Sequence, residues 1–348
     1  LTIFFFLKKV EQTLIPFLFA KKRRRVSSSL SDYLSELTNK LNVIFGISFI
    51  VIGGIGGILN IITFISHNLV KTSCGIYFLF GSMFSVGLIV VGQLFRLLTL
   101  SNSSIFLTTF WYCQIRIYFI NVFGLISRLL IVLTSLDRLL FCSRNAQTRS
   151  WCNYKLALRV VVVCIVISLA YPIHVWFSYE LRLPSRSCRS DIYWLSTYDL
   201  CYQFIFVFIL PSLLMSIFCL MLISRLHGQR IRLSRQMNRR DREFLLMILI
   251  QVLFYIVIHL PLPINMTYNR LALYLVKSRD RIAIENFFSF LINSQLFYFY
   301  FSLTFYLNLI VSSKFRQQLF GMFKRRSLNG TTIRNTTRIA PVNPSNRD

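Results

Sequence analysis

Apolar residues dominate seven long stretches of the chain, about 43–66, 75–98, 113–137, 156–178, 200–224, 244–268 and 283–311, and charged residues collect between them. Each stretch can cross roughly 30 Å of hydrocarbon as a tilted α-helix rising about 1.5 Å per residue. Lipid offers the backbone no hydrogen-bond partners, so such spans must be helices that satisfy their own amides. Pro172, Pro211, Pro261 and Pro263 fall inside the stretches, where neighbouring side chains can take up the carbonyls they free. The third stretch serves as a ruler. From Cys113 to Arg138 it reaches roughly 37 Å at the helical rise, with a thiol at one surface and an acid–base pair at the other. The expected fold is an all-α membrane protein, a seven-transmembrane helix bundle over 40–311 with a short amphipathic eighth helix over 312–323 and a disordered tail over 324–348.

Loop charges orient the bundle. Arg138, Arg144, Arg149, Lys155 and Arg159 follow the third span, and Arg225, Arg230, Arg232, Arg235, Arg239, Arg240 and Arg242 follow the fifth. By the positive-inside rule these loops are cytoplasmic. The tail, with Lys314, Arg316, Lys324, Arg325 and Arg326, agrees. The loop after the fourth span balances Arg182, Arg186 and Arg189 against Glu180, Asp191 and Asp199. Residues 1–39 are then an extracellular N-terminus and the C-terminus is cytoplasmic. The basic cluster from Lys21 to Arg25 conflicts with that orientation, so 1–27 is expected to be a spurious or processed extension. Between Ser312 and Phe323, the residues Phe315, Leu319, Phe320 and Phe323 are expected on one face, as in an interfacial helix.

Composition confirms the class. A chain with 55% hydrophobic residues, 34 Phe and only 15% charged residues carries more apolar surface than a soluble globule of its size can hide. The net charge of +27 would suit nucleic acid, but the Lys and Arg lie between spans, so the expected partner is the lipid bilayer and no nucleic acid. Asn102-Ser103-Ser104 is a glycosylation sequon in the outer loop between spans two and three, whereas Asn329 and Asn335 lie on the cytoplasmic side. Of the eight cysteines, Cys113 and Cys188 share the oxidising side and are expected to pair, with Cys201 as the competing partner. His67, His174, His227 and His259 are scattered. No metal, cofactor or catalytic constellation is expected, so the chain does not read as an enzyme. Neither the inverted repeats of a transporter nor a channel filter is present.

Cys113 followed by Asp137-Arg138-Leu139, a second outer-loop cysteine, Asn60 in a Gly-rich first span, Pro211 in the fifth and Pro261 in the sixth together resemble the rhodopsin-like G-protein-coupled receptors. The resemblance covers about 40–323. Gly75-Ile76-Tyr77-Phe78-Leu79 and Phe305-Tyr306-Leu307 with Lys314-Phe315-Arg316 are most similar to divergent invertebrate receptors of the FMRFamide neuropeptide type. It implies a plasma-membrane receptor that transduces binding of an extracellular ligand, a neuropeptide, to a heterotrimeric G protein. The alternatives are a receptor-like protein that no longer signals and a chemosensory receptor for a small molecule. It also implies a switch in which Arg138, beside Asp137, is held by Asp241 at the start of the sixth span. Several positions depart from the family pattern. Ser85 stands where relatives hold an acidic sodium ligand, His259 replaces the sixth-span aromatic, and Thr304-Phe305-Tyr306-Leu307-Asn308 replaces Asn-Pro-x-x-Tyr.

Arg128 stands mid-span, where an unpaired charge is costly and should face the bundle interior. It is expected near Pro211 and Tyr255, its cation replacing the lost sodium, as a connector that continues through His259 and Pro261. The expected ligand pocket comprises Arg116, Ile120, Asn121, Gln203, His259, Asn265 and Tyr298. Ile120 stands where amine receptors carry an acid, which argues against a monoamine, and the seventh span lacks the Lys a retinal would need.

Overall fold

The long apolar stretches become seven helices in the computed structural model. It describes residues 30–66, 71–100, 111–143, 145–178, 180–182, 187–189, 193–228, 239–272, 275–313 and 315–322. The helices long and apolar enough to cross a membrane are α1 (Leu30–Ile65), α2 (Ser73–Leu98), α3 (Cys113–Phe141), α4 (Tyr154–Phe177), α5 (Thr197–Arg225), α6 (Leu245–Leu271) and α7 (Arg279–Val311). Between α4 and α5 a hairpin pairs β1 (Glu180–Arg182) with β2 (Ser187–Arg189), antiparallel with Leu181 opposite Cys188. The expected all-α seven-helix bundle is what forms, and this hairpin of three residues per strand is a small addition to it. The short helix α8 covers residues 315–322.

Polar caps start the helices where the sequence offers them. The Thr72 hydroxyl accepts from the Gly75 amide at 3.1 Å ahead of α2, and the Asn153 side chain accepts from the Leu156 amide at 2.8 Å ahead of α4. Each cap satisfies an amide that has no intrahelical partner. Helix α1 begins ten residues before the expected boundary at 40. Its extra turns are polar, with Lys40 and Glu36 paired at 3.0 Å, a spacing that supports exposed helix without lipid. Glycines draw α1 into the bundle: a Cβ on Gly53 would lie 2.6 Å from Ile89 Cδ1 and 2.7 Å from Ser302 Oγ, the close approach that small residues permit between membrane helices.

Three spans contain a π-helical turn: Val90–Leu94 in α2, Gln203–Ile209 in α5 and Leu291–Leu296 in α7. A π-turn inserts a residue and rotates everything beyond it, and such turns gather at functional sites. Proline bends two more spans, at Pro172 in α4 and at Pro261, where a fresh helical segment begins in α6. Helix α8 packs Phe315 against Phe64 and Phe305, each with ring centroids at 5.9 Å. Leu319 is buried beside it, but Phe320 is exposed, which corrects the expected face. Five residues beyond Phe315, Phe320 has turned roughly 140° away from the core. Phe323 lies outside the described residues.

Candidate functional site

Toward the Cys113 end, α2, α3, α5, α6 and α7 enclose a cavity of about 270 Å³. Two of the three π-turns line it, and the third holds Arg116. The turns in α5 and α7 contribute Gln203, Val207, Asn293 and Ser294 to its wall, and the Gly92 carbonyl of the α2 turn accepts from Arg116 Nη2 at 3.3 Å. Of the expected pocket residues, Arg116, Ile120, Asn121, Gln203 and Tyr298 line the cavity. His259 and Asn265 do not. The His259 ring stacks on Tyr255 with centroids at 4.3 Å, and Asn265 donates to Asn293 Oδ1 at 3.1 Å, so both serve the wall from behind.

The sequence reading missed Arg96 and the role of Arg128 at this cavity. Arg96 donates to the Ser294 hydroxyl and lies 5.2 Å from the Phe290 ring. A charge at the outer end of the second span was its only signal, and interfacial anchors look the same. Gly92 also shapes the wall, because a Cβ there would come 2.6 Å from Cζ of buried Tyr298. Gly92→Ala is therefore expected to lower stability by about 1–3 kcal/mol through overpacking, read as a lower melting midpoint of the purified protein.

Arg128 is 2% exposed. Its charge is felt at Tyr255 and His259. The Tyr255 hydroxyl donates to the Val207 carbonyl, which an amide at position 211 would serve in a regular helix and which Pro211 cannot. The sodium idea is corrected. Ser85 lines a separate cavity of about 30 Å³ with Asn60, Ser82, Ser127, Gln251 and Thr304 among its walls, all uncharged, and Arg128 is not among them. Helical side chains lean toward the N-terminus, so the guanidinium lies over Gly124, a turn nearer Cys113.

Along the wall of that small cavity a hydrogen-bond ladder crosses four spans. Gln251 Nε2 donates to Asn308 Oδ1 at 2.6 Å, Asn308 Nδ2 to Asn60 Oδ1 at 3.5 Å, Asn60 Nδ2 to Ser82 Oγ at 2.6 Å, and Ser82 to the Phe78 carbonyl at 2.7 Å. Asn60 and Asn308 were expected as altered motif positions; Gln251 was missed. Ser85 and Thr304 turn back on their own helices, at 2.7 Å to the Gly81 carbonyl and 3.0 Å to that of Phe301.

At the opposite end Arg138 Nη2 meets Asp137 Oδ2 at 2.5 Å, both side chains nearly buried, with the Phe141 ring 4.8 Å from the guanidinium. The expected partner Asp241 lies in the helical turns from Arg239 that lead into α6, but its side chain lies outside the described residues. The acid visibly used there is Glu243, whose carboxylate accepts from Ser312 at 2.7 Å and Ser313 at 2.8 Å, tying the turns ahead of α6 to the residues just after α7. Nothing in its local sequence marked Glu243, because its partners are about 70 residues away.

Cys152, in the loop before α4, donates to the Asp137 carbonyl at 3.3 Å. Burial, reinforced by the Asp137 carboxylate, pushes its thiol up to about 12. A raised value keeps the thiol neutral throughout the physiological range, and only the thiolate is nucleophilic. Iodoacetamide at pH 7.4 is expected to label Cys152 far more slowly than glutathione, with mass spectrometry as the readout.

Cys113 is disulfide-bonded, whereas Cys201, the competing partner, is a free thiol. Asn102 lies outside the described residues. Residues 56–312 match the family model of the 7 transmembrane receptor (rhodopsin family). No curated protein matches the chain.

Proposed function

The chain belongs to the rhodopsin family of seven-transmembrane receptors, and on that premise we propose that it carries a neuropeptide signal to a heterotrimeric G protein. Its family makes it a multi-pass plasma-membrane receptor that transduces extracellular signals, rather than an enzyme. In this reading the N-terminus and the 270 Å³ cavity face outward, and the Arg138 end meets the G protein. Cys188, held in the hairpin opposite Leu181, is the partner of Cys113. Asn102 carries the glycan.

The observation that carries the proposal is the placement of a donor-rich cavity and a buried Asp137–Arg138 pair at opposite ends of one helix. Arg116, Asn121 and Gln203 supply donors for peptide carbonyls or a carboxylate. Asp241 holds Arg138 at rest, and the Arg128–Tyr255–His259 cluster relays ligand occupancy to α6 around Pro261. A small-molecule chemosensory receptor is the second reading. The cavity volume favours it, since 270 Å³ is near the small end for ligand pockets and would admit only the end of a peptide.

The test is a cell-signalling screen of neuropeptides with G-protein reporters, run beside Arg138→Ala at matched surface expression. A response that the variant loses supports the proposal. A blank across the panel with normal surface expression supports a receptor-like protein that no longer signals.

A further inference from the structure

The outer cavity has an unbalanced charge. Three guanidinium groups line it, from Arg96, Arg116 and Arg128, against a single carboxylate, Asp199. That carboxylate is already engaged at 2.7 Å by His174 Nε2. Arg96 and Arg116 repel one another across the mouth. Arg128, 2% exposed, has no acceptor among the described residues for Nε or Nη1, and Arg116 has none for Nε. A guanidinium so deep in a membrane helix is costly unless it finds an anion, and leaving buried N–H groups without acceptors adds to the cost.

We infer that the natural ligand is an acid, whose carboxylate is received by Arg128 at the floor of this cavity after passing the cationic mouth formed by Arg96 and Arg116. The inference rests on reading the cavity as the ligand site of a receptor. Arg116 and Arg128 are three turns apart on α3, roughly 18 Å, and beside its polar groups the wall carries an apolar set, Ile117, Ile120, Val207, Leu262 and Phe297. Such a wall suits a hydrocarbon or aromatic body attached to the charge. Gly124 makes the floor possible, because a Cβ there would meet Arg128 Nη2 at 3.1 Å. A carboxylate accepts charge-assisted hydrogen bonds from a guanidinium, and Nε and Nη1 of Arg128, on two different edges of the group, each have an N–H to donate. An amide presents no charge, and an amine would be repelled. The acid can be the free C-terminus of a peptide or a small organic acid.

The experiment is thermal unfolding of the full chain in lipid nanodiscs with two matched pairs of probes. One pair is 4-phenylbutyrate and 4-phenylbutyramide; the other is the N-acetylated Leu-Phe dipeptide as free acid and as amide. At about 100 times its dissociation constant, an acid is expected to raise the melting midpoint by about 5 °C, and its amide to leave it unchanged. The pair that responds identifies the source of the carboxylate. Arg128→Gln is expected to raise the midpoint without ligand, by removing a buried charge with two N–H groups lacking acceptors, and to abolish the acid effect. Arg116→Gln should halve it or more, and decides the matter alone if Arg128→Gln does not fold. No response to either acid, equal responses to acid and amide, or an acid response unchanged in the variants overturns the inference. Failure here is separable from failure of the receptor proposal, because unfolding needs no G protein. Acid binding without signalling would remove only the proposed function, and signalling by amidated peptides without acid discrimination would remove only this inference.

Discussion

Exchanging Asp137 for Ala is expected to destabilise the protein by about 3 kcal/mol, the low end of the range for breaking a buried ion pair. The reason is the charge left behind. Arg138 is 3% exposed and meets Asp137 at 2.5 Å, so removal of the carboxylate takes this counter-charge from a guanidinium that water barely reaches. The Phe141 ring at 4.8 Å offsets part of the loss, since an aromatic face attracts a cation by about 1–2 kcal/mol when desolvated. The measurement is the melting midpoint of purified protein, expected to fall by about 6 °C or more. Asp137→Asn keeps an acceptor oxygen and should lose roughly half as much. Equal midpoints for parent, Asn and Ala forms would show that the pair contributes nothing to stability. In the signalling assay the same Ala variant should raise basal activity, because Arg138 loses a partner that holds it in the resting arrangement.

Asn308→Leu should cost about 2 kcal/mol, for a different reason. Asn308 is fully buried and both accepts from Gln251 and donates to Asn60. An apolar replacement leaves the Gln251 amide and the Asn60 oxygen unpaired, each a loss of about 1–3 kcal/mol in a protein interior. Membrane interiors return smaller values, about 0.6–1.7 kcal/mol per interhelical bond, which sets the estimate near 2. A double-mutant cycle makes the mechanism visible. Gln251→Leu alone should also destabilise, but Gln251→Leu with Asn308→Leu should cost clearly less than the sum, because the second change removes a group the first had orphaned. Strict additivity would mean that the 2.6 Å contact carries no energy of its own.

Much of the fold was legible in the sequence because a bilayer imposes a length and a polarity on each span. The expected stretches at 75–98 and 156–178 match α2 and α4 to within two residues, set by lipid thickness alone. The start of α1 was missed because its first ten residues are polar and helical, a state that hydropathy cannot distinguish from a loop. The hairpin between α4 and α5 was missed because three residues per strand leave no alternation to read.

The candidate site was legible only in part. Arg116, Ile120 and Asn121 lie in a regular stretch of α3, so helical spacing placed them on the cavity wall correctly. His259 was misplaced by the break at Pro261, and Ser294 and Asn293 were invisible because they lie in the α7 π-turn. Arg128 was expected to reach the Ser85 cavity, but the lean of helical side chains carries its charge a turn the other way, toward the opening.

By itself the sequence determined the membrane class, the seven helices and the two chemical ends of α3, because hydropathy and helical rise act along the chain. Only the tertiary structure decided which groups meet: Gln251 with Asn308, Glu243 with Ser312 and Ser313, and the three arginines around one cavity. Those pairings join residues from about a dozen to 70 positions apart, and they depend on the rotation of each helix. Single π-turns and prolines reset that rotation without leaving a mark on the hydrophobic pattern.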